Sequence, residues 1–456
     1  MTQSLPASST SDPVVEVIPG GPVSGSIRPP GSKSLTNRAL ICAAFSDKVS
    51  SITGALRSED TEVMIEAMRS IGVEIEVSEG GRKLSVDTRK RKSLSKDSDC
   101  KSLYIANSGT TIRFLTAALS AAGGHYQLHG VPRMHQRPIS DLVDAIAPVQ
   151  QGTITAESEN GCPPVLIQSD GWTSGKIEVA GSVSSQYLSG LMMAAPIANA
   201  NQTQENPTTI CVTGELVSRP YVDMTANVMR LFGADVSVVE SPNDTVPIQI
   251  NVAGGNYQAV DYPIEPDASA ASYFWAAAAI TGGDVTVEGL SRDAIQGDVG
   301  FCDVLQKMGC EVTYGADSIR VAGKATKAVD VDMNVISDTV QTLAVVALFA
   351  EGTTRVRGVA HNRFKETDRI GDLATELRKL GAVIQEHEDG LSISPPTELS
   401  GATLETYHDH RMAMSLSLAG LNIPNVRILN PACTGKTYPE FFADLERLIG
   451  RAHRWA

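Results

Sequence analysis

The chain has 456 residues, 42% of them hydrophobic and 20% charged, enough for two or three domains that each bury a core. A formal net charge of -14 argues against a nucleic-acid or anionic-membrane surface, because neutralising phosphates takes a basic face. Seven cysteines, an odd number with no Cys-x-x-Cys pair, suggest neither a disulfide framework nor a zinc knuckle and fit reduced thiols.

In chain order, residues 1–13 are polar and lack the basic-then-apolar pattern of a secretory signal, so they read as a disordered tail. The stretch PPGSKSLTNRAL, Pro29 to Leu40, follows. Its prolines end any preceding element, Gly31 allows close backbone approach, and a Ser or Thr can cap the helix beginning near Leu35. Lys33, Ser34 and Arg38 would then gather two cations and a hydroxyl at free helix amides, an anion-binding plan. It is not a nucleotide P-loop, because Ser32 separates the glycine from the lysine. TGKT at Thr434–Thr437 has the right ending, but Asn430 stands where the earlier glycine is required.

The same plan of strand, small-residue turn and helix recurs in YIANSGTTIRFL, with Asn107, Ser108, Gly109 and Thr110 offering amides and hydroxyls. Arg133 and Arg137 precede a Pro-led amphipathic helix in VPRMHQRPISDLVDAI. Ser184, Ser185 and Gln186 open an apolar helix, and Ser218, Arg219 and Tyr221 stand before another. Ala268 to Ile280 is the longest apolar-or-small run, shorter than the roughly 18 to 20 residues of a membrane span, and reads as a buried helix.

Beyond residue 330 acids join the cations. Asp338 heads an apolar helix, where capping is its ordinary role. In HNRFKETDRIGDL, with Asn362, a helix would set Lys365 and Arg369 on one face with Glu366 beside them, cations holding an anion near a carboxylate. Asp409, His410 and Arg411 open a small-residue helix, and Lys436 precedes the last one. Two histidines flanking an aspartate suggest a metal, but no spaced third partner accompanies them.

A helix ending in an apolar residue and glycine, then an alternating strand, recurs at Gly72, Gly233, Gly309 and Gly381, with fainter copies at Gly152 and Gly450. The intervals of 80, 81, 76, 72 and 69 residues predict six units of one α/β pattern, divisible into two domains of three. Glycine suits the left-handed residue that turns a helix into a strand.

Taken together, PGSKSLTNRAL, NSGTTIRF, PRMHQRPISDLVDA, SVSSQYLSGLMMAAP, KETDRI, TYHDHRMAMSLSLAG and CTGKTYPEFF closely resemble the enolpyruvyl transferases, in particular the branch acting on shikimate 3-phosphate. The resemblance runs from about residue 14 to 449. It implies six βαβαββ units, three per domain, in an inside-out α/β barrel arrangement, with the active site in the interdomain cleft. The expected domains are 14–31 with 256–456, and 32–255, so that the N-terminal strand joins the C-terminal domain.

The implied reaction moves the enolpyruvyl group of phosphoenolpyruvate to the 5-hydroxyl of shikimate 3-phosphate on the route to chorismate and the aromatic amino acids, without metal or organic cofactor. Ser34, Arg38, Ser184, Ser185, Gln186, Ser218, Tyr221, Asp338, Asn362 and Lys365 would hold shikimate 3-phosphate. Asn107, Gly109, Arg137, Gln186, Arg369, Arg411 and Lys436 would surround phosphoenolpyruvate, and Lys33 would touch both. Asp338 would take the hydroxyl proton and Glu366 would protonate the methylene carbon, a role that a raised pKa would help. His410 would assist or pack against Asp409. No nucleic-acid, membrane or protein partner is implied, and a cytoplasmic monomer is expected.

Ser108 stands where many members of the family have alanine and Phe114 where some have proline, while Gly109 keeps space for the herbicide glyphosate, so sensitivity is expected. One alternative is the transferase acting on UDP-N-acetylglucosamine, which relies on a loop cysteine; Cys100 and Cys162 lie outside the matching segments. A non-catalytic phosphosugar-binding repeat protein would lack Asp338 or Glu366, and both are present.

Overall fold

The computed structural model describes residues 13–91, 96–173, 175–181, 184–200, 207–214, 216–240, 248–253 and 255–456. The expected tail therefore lies outside the described residues except for Pro13, whose carbonyl accepts from the Asn430 N–H at 3.0 Å.

Among the described residues the strands assemble into six four-stranded sheets. In one, Lys101–Tyr104 runs parallel to Gly124–His129, which pairs antiparallel with Val165–Trp172, itself paired with Gln150–Ala156. Helices Gly109–Ala122 and Ser140–Ile146 make the crossovers, which completes a βαβαββ unit. Three other units are closed by strands from distant parts of the chain. Ser24–Ile27 lies parallel to Asp284–Glu288, Asp261–Pro263 lies parallel to Val49–Thr53, and Val14–Glu16 pairs with Arg427–Leu429 and Arg454–Trp455.

These exchanges make the chain cross twice between two buried cores. One core runs from Leu35 to Ile264; the other joins Val15, Val17, Val23 and Ile27 to Ala268 through Leu445. The crossing segments lie side by side, the Ser32 N–H donating to the Glu265 carbonyl and the Asp267 N–H to the Pro30 carbonyl, both at 2.8 Å. Gly31 sits between them with room for no side chain, since a Cβ would come 1.8 Å from the Gly54 carbonyl oxygen. The expected boundary at 255/256 falls too early for this arrangement. Tyr257, Tyr262 and Ile264 belong to the first core, because Asp261–Pro263 must pair with Val49–Thr53 to finish that sheet.

Helices occupy the interior of each core. Ala268–Thr281 is buried from Ala268 to Ile280, capped by Asp267 through the Ala270 N–H at 2.9 Å and ended by left-handed Gly282. A helix apolar all round must be enclosed. Gly109–Ala122 packs against Ser185–Ala200 in the first core, and Val340–Ala347 against His410–Ser417 in the second. Among the described residues the sheets surround these helices as six separate sheets and none closes into a barrel. No described helix is long and apolar enough to cross a membrane.

Five of the six repeat glycines behave as expected: Gly72, Gly233, Gly309, Gly381 and Gly450 follow helices with φ of 93°, 84°, 110°, 96° and 68°. Gly152 does not. Its preceding helix ends at Ile146, and the glycine sits inside the strand Gln150–Ala156 at a register shift against Val165–Trp172, where its φ of 122° fits a bulge.

Candidate active site

Ser32 caps the helix Lys33–Ala44, its hydroxyl accepting from the Leu35 N–H at 3.5 Å. This sets Lys33 in the first turn with Nζ 3.2 Å from the Asp60 carboxylate. Arg38 turns the other way. Its guanidinium is 1% exposed and donates to Thr225 Oγ1 (2.7 Å), the Ser34 carbonyl (2.9 Å), Ser189 Oγ (3.0 Å) and the Tyr221 carbonyl (3.4 Å). Burial pushes its pKa down to about 10. Arg38 thus braces three helices, while Ser34 lines a narrow crevice with Tyr221, Asp267, Ser269 and Asp298.

Ser108 caps the helix Gly109–Ala122 through the Thr111 N–H at 3.3 Å. Above Gly109 lie two guanidiniums, with Arg137 Nη2 2.4 Å and Arg113 Nη1 2.9 Å from where a Cβ would be. Arg137 donates to the Asn107 carbonyl at 3.0 Å, and its Nε is buried without a partner. Burial pushes its pKa down to about 10. Arg113 donates to Gln186 Oε1 at 2.6 Å, stacks 5.2 Å over the Tyr187 ring and also leaves Nε unpaired. Gln186 donates to Thr110 Oγ1 at 3.3 Å, and its own N–H is held by Ser184 Oγ at 3.3 Å.

The opposite wall comes from the second core. Asp338 is not the expected helix cap: Thr339 holds that position without a side-chain bond. Its carboxylate instead accepts from Arg411 Nη2 (2.7 Å), Tyr221 Oη (2.9 Å) and Arg369 Nη1 (3.3 Å). Burial alone would raise its pKa, but the charges of Arg411, Lys365, Arg369 and Lys33 outweigh burial and hold the carboxyl well below the ordinary range.

The helix expected through Lys365 and Arg369 is absent. A 3₁₀ turn spans Ala360–Phe364, and the α-helix starts only at Gly371, because the Asp368 carboxylate takes the N–H groups of Ile370 and Gly371 at 3.0 and 3.1 Å. The irregular segment folds Arg369 inward onto Asp409, Nε to Oδ2 at 2.7 Å and Nη2 to Oδ1 at 3.1 Å. Glu366 stands between Arg369 Nη2 at 2.9 Å and Lys436 Nζ at 3.2 Å. Its pKa is lowered, the opposite of what would help a proton donor. Burial pushes it up, and the charges of Lys436, Arg369 and Arg137 together push it further down. Lys365, by contrast, has no hydrogen bond or ion pair with a described residue, and burial lowers its pKa.

His410 is buried with neither ring nitrogen hydrogen-bonded, its Nδ1 3.7 Å from Asp409, and burial keeps it neutral. His408 turns away to meet Asn430 Nδ2 at 2.7 Å. Among the described residues no three His, Cys, Asp or Glu side chains gather as metal ligands.

A cavity of about 290 Å³ lies between the walls. It is lined by Lys33, Arg137, Ser184, Gln186, Asp338, Lys365, Glu366, Arg369, His410 and Arg411, as well as by Arg113, Pro138, Asp141, Tyr187, His361 and Phe364, which the sequence reading did not single out. Six cations thus face three carboxylates on a chain whose net charge is -14. Lys33, Gln186, His410 and Arg411 stand in first turns of helices, so partial positive charge adds to the cationic field. Such a site suits a small, multiply charged anion with carboxylates at hand for proton transfer.

Asn107 and Lys436 border a second opening on the far side of Glu366. Ser185, Ser218 and Asn362 do not line the main cavity. Ser218 nonetheless joins the two walls, its N–H donating to Asn334 Oδ1 at 2.9 Å and its hydroxyl 3.3 Å from His361 Nε2. Asn362 Nδ2 donates to the Ser337 carbonyl at 3.0 Å and leaves its buried Oδ1 unpaired. Ser108 and Phe114 are buried and do not line the cavity. Arg113 was within reach of sequence reasoning, since it lies one helical turn after Gly109 in a motif already singled out; Tyr187 and His361 carry no comparable signal.

A family model described as EPSP synthase (3-phosphoshikimate 1-carboxyvinyltransferase) matches residues 17–445. The chain belongs to the EPSP synthase family. A 3-phosphoshikimate 1-carboxyvinyltransferase of Colwellia psychrerythraea is 44% identical over 436 residues, covering 94% of this chain and 98% of the relative. One of the same name from a Sulfurovum species is 43% identical over 427 residues, covering 93% and 97%. Among solved structures, an EPSP synthase from Acinetobacter baumannii superposes with a TM-score of 0.78 at 26% identity, over 98% of this chain and 100% of that one. The enolpyruvyl transferase NikO from Streptomyces tendae shares the fold, with a TM-score of 0.74 at 21% identity over 98% and 99%. The EPSP synthase family membership therefore covers both walls of the cavity, since every lining residue falls within the matched span.

Proposed function

We infer that the chain transfers the enolpyruvyl group of phosphoenolpyruvate to the 5-hydroxyl of shikimate 3-phosphate, releasing phosphate. The observation that carries this reading is the EPSP synthase match over residues 17–445. The charge pattern of the cavity supports it. Both substrates are multiply anionic, and Arg113, Arg137 and Lys365 have cationic donors not consumed by carboxylates.

In this reading Ser184, Gln186, Tyr221, Asn362 and Lys365 serve the sugar-phosphate side, while Arg137, Arg369, Arg411 and Lys436 hold phosphoenolpyruvate above Gly109. Ser34, Ser185 and Ser218 belong with the sugar-phosphate side as well, and Arg38, its donors taken by Thr225, Ser189 and two carbonyls, braces that wall. Asp338 takes the 5-hydroxyl proton as the oxygen attacks C2. Glu366 gives its proton to C3, so that a methyl group and a tetrahedral intermediate form. Return of a methyl proton to Glu366 and departure of phosphate with the C–O electron pair complete the transfer. Glu366 is held ionised by Lys436 and Arg369. An incoming phosphate and carboxylate neutralise those cations, and its pKa rises toward what a proton donor needs.

The two cores are proposed as two domains exchanging at Gly31 and Pro266. The seven free cysteines support a reducing, cytoplasmic setting, and a monomer is sufficient because both walls come from one chain. The test is phosphate release from phosphoenolpyruvate with either acceptor. Release that requires shikimate 3-phosphate supports the assignment, and release only with UDP-N-acetylglucosamine overturns the acceptor.

A further inference from the structure

Tyr221 reaches Asp338 from the other core, and the turn that carries it is held in an unusual backbone. Ser218, just before the helix Pro220–Leu231, has a φ of 54°, a left-handed conformation that a serine keeps only where surrounding structure fixes it. What fixes it belongs to the opposite wall. Its N–H donates to Asn334 Oδ1 at 2.9 Å, and its hydroxyl lies 3.3 Å from His361 Nε2 and 3.4 Å from Ser337 Oγ. Asn334 is itself clamped, Nδ2 donating to the Gly358 carbonyl at 3.1 Å and its backbone N–H to Asp332 Oδ1 at 2.8 Å. A carbonyl at one end of the amide and an N–H at the other leave it a single orientation. Gly297 completes the seat, because a Cβ there would come 2.6 Å from Pro220 Cβ. Asn334 also opens the 3₁₀ turn Asn334–Thr339 that carries Asp338. One amide thus fastens the turn that presents Tyr221 to the turn that presents the carboxylate, and it does so without lining the cavity.

We propose that Asn334 is a positioning residue for the acceptor: by seating the 218–221 turn it keeps Tyr221 Oη on Asp338, and so aims that carboxylate at the hydroxyl proton it removes. The inference rests on the reading of Asp338 as the base. Arg411 and Tyr221 share its Oδ2, while Arg369 holds Oδ1 at 3.3 Å. Burial raises the pKa of Tyr221 and keeps it a donor. Without the Asn334 carbonyl, the Ser218 N–H loses its acceptor and nothing offsets the left-handed strain, so the turn relaxes and Tyr221 withdraws. Oδ2 is then left to Arg411 alone, and the carboxylate is free to rotate away from the acceptor hydroxyl. Asn334 makes and breaks no bond in the reaction; it acts through Ser218 and Tyr221.

The experiment is a double-mutant cycle on Asn334→Ala and Tyr221→Phe, read as phosphate release with shikimate 3-phosphate varied at saturating phosphoenolpyruvate, with thermal melting to show that each variant is folded. Asn334→Ala is expected to lower kcat/KM for shikimate 3-phosphate about tenfold or more in the parent, and less than about twofold in Tyr221→Phe, where the contact it positions is already gone. The KM for phosphoenolpyruvate is expected to change less than about twofold. Asn334→Asp keeps the acceptor for Ser218 and gives up only the donor to Gly358, so it should return to within about threefold of the parent. A residue that only stabilised the fold would give the same loss in both backgrounds. Should Asn334→Ala not fold, Asn334→Ser, too short to reach the Ser218 N–H, carries the same comparison. Equal losses in the two backgrounds, a loss below about twofold in the parent, or no recovery by Asn334→Asp overturns the proposal. No phosphate release by the parent chain with shikimate 3-phosphate would instead overturn the reaction, and this inference with it.

Discussion

A methyl group at residue 109 would lie 2.4 Å from Arg137 Nη2 and 2.9 Å from Arg113 Nη1, closer than real Cβ atoms come. Gly109→Ala must therefore displace two guanidiniums on the side of the cavity proposed for phosphoenolpyruvate. The expected result is a KM for phosphoenolpyruvate raised on the order of tenfold or more, with the KM for shikimate 3-phosphate changed by less than about twofold, read from steady-state kinetics. Glyphosate, expected at the same place, should inhibit the parent chain, and turnover unchanged by millimolar herbicide would contradict that expectation. Site residues on helix N-termini were legible because small-residue turns followed by apolar helices announce themselves, as Lys33 and Gln186 do. Arg38 was legible only as a cation: no spacing rule says that its donors are used up by Thr225, Ser189 and two carbonyls. The lowered pKa of Glu366 was equally hidden, because Lys436 and Arg137 reach it from positions far away in the chain.

The repeated units differ in how their glycines act. At Gly72 a Cβ would meet nothing within 4 Å, and only its φ of 93° opposes a side chain. At Gly152 a Cβ would be 2.1 Å from the Gln168 carbonyl oxygen on the neighbouring strand, in addition to a φ of 122°. Gly72→Ala is expected to cost about 1 to 2 kcal/mol, and Gly152→Ala roughly twice that or more, as measured by denaturant unfolding. Equal costs would mean that the bulge relaxes without resistance. Helix-then-glycine periodicity marked five of these turns, yet it could not separate a helix end from a strand bulge at Gly152. The four-residue spacing of Lys365 and Arg369 misled in the same way after Asn362, where Asp368 starts a helix late and leaves Lys365 and Glu366 outside it. A run of charged residues at helical spacing looks helical in sequence; competition from a local side-chain cap decides otherwise.

Across the whole molecule, sheet exchange ties the chain ends together and sets a pH-dependent weak point there. His453 is buried against the Phe442 ring at 5.9 Å, and neither ring nitrogen has a partner. Burial lowers its pKa. Below its unfolded value of about 6.5 the unfolded chain takes up a proton that the folded one refuses, so stability is lost as pH falls. His453→Phe is expected to stabilise the protein by about 1 kcal/mol or more at pH 7, with an advantage in thermal melting that widens between pH 7 and pH 5. A constant advantage would mean that the imidazole protonates in the folded state. The double crossing itself was not readable from periodicity. It followed from family resemblance, and its second crossing point near Pro266 depends on a three-residue strand, Asp261–Pro263, too short to stand out in sequence.

In the proposed reaction a cation-held carboxylate, Glu366, becomes the proton carrier of enolpyruvyl transfer once anionic substrates arrive. Phosphate release from phosphoenolpyruvate and shikimate 3-phosphate by Glu366→Gln tests it most directly, because glutamine keeps the shape and removes the proton. A fall on the order of a hundredfold or more relative to the parent, with the KM for both substrates little changed, is expected. Turnover within about tenfold of the parent would contradict it.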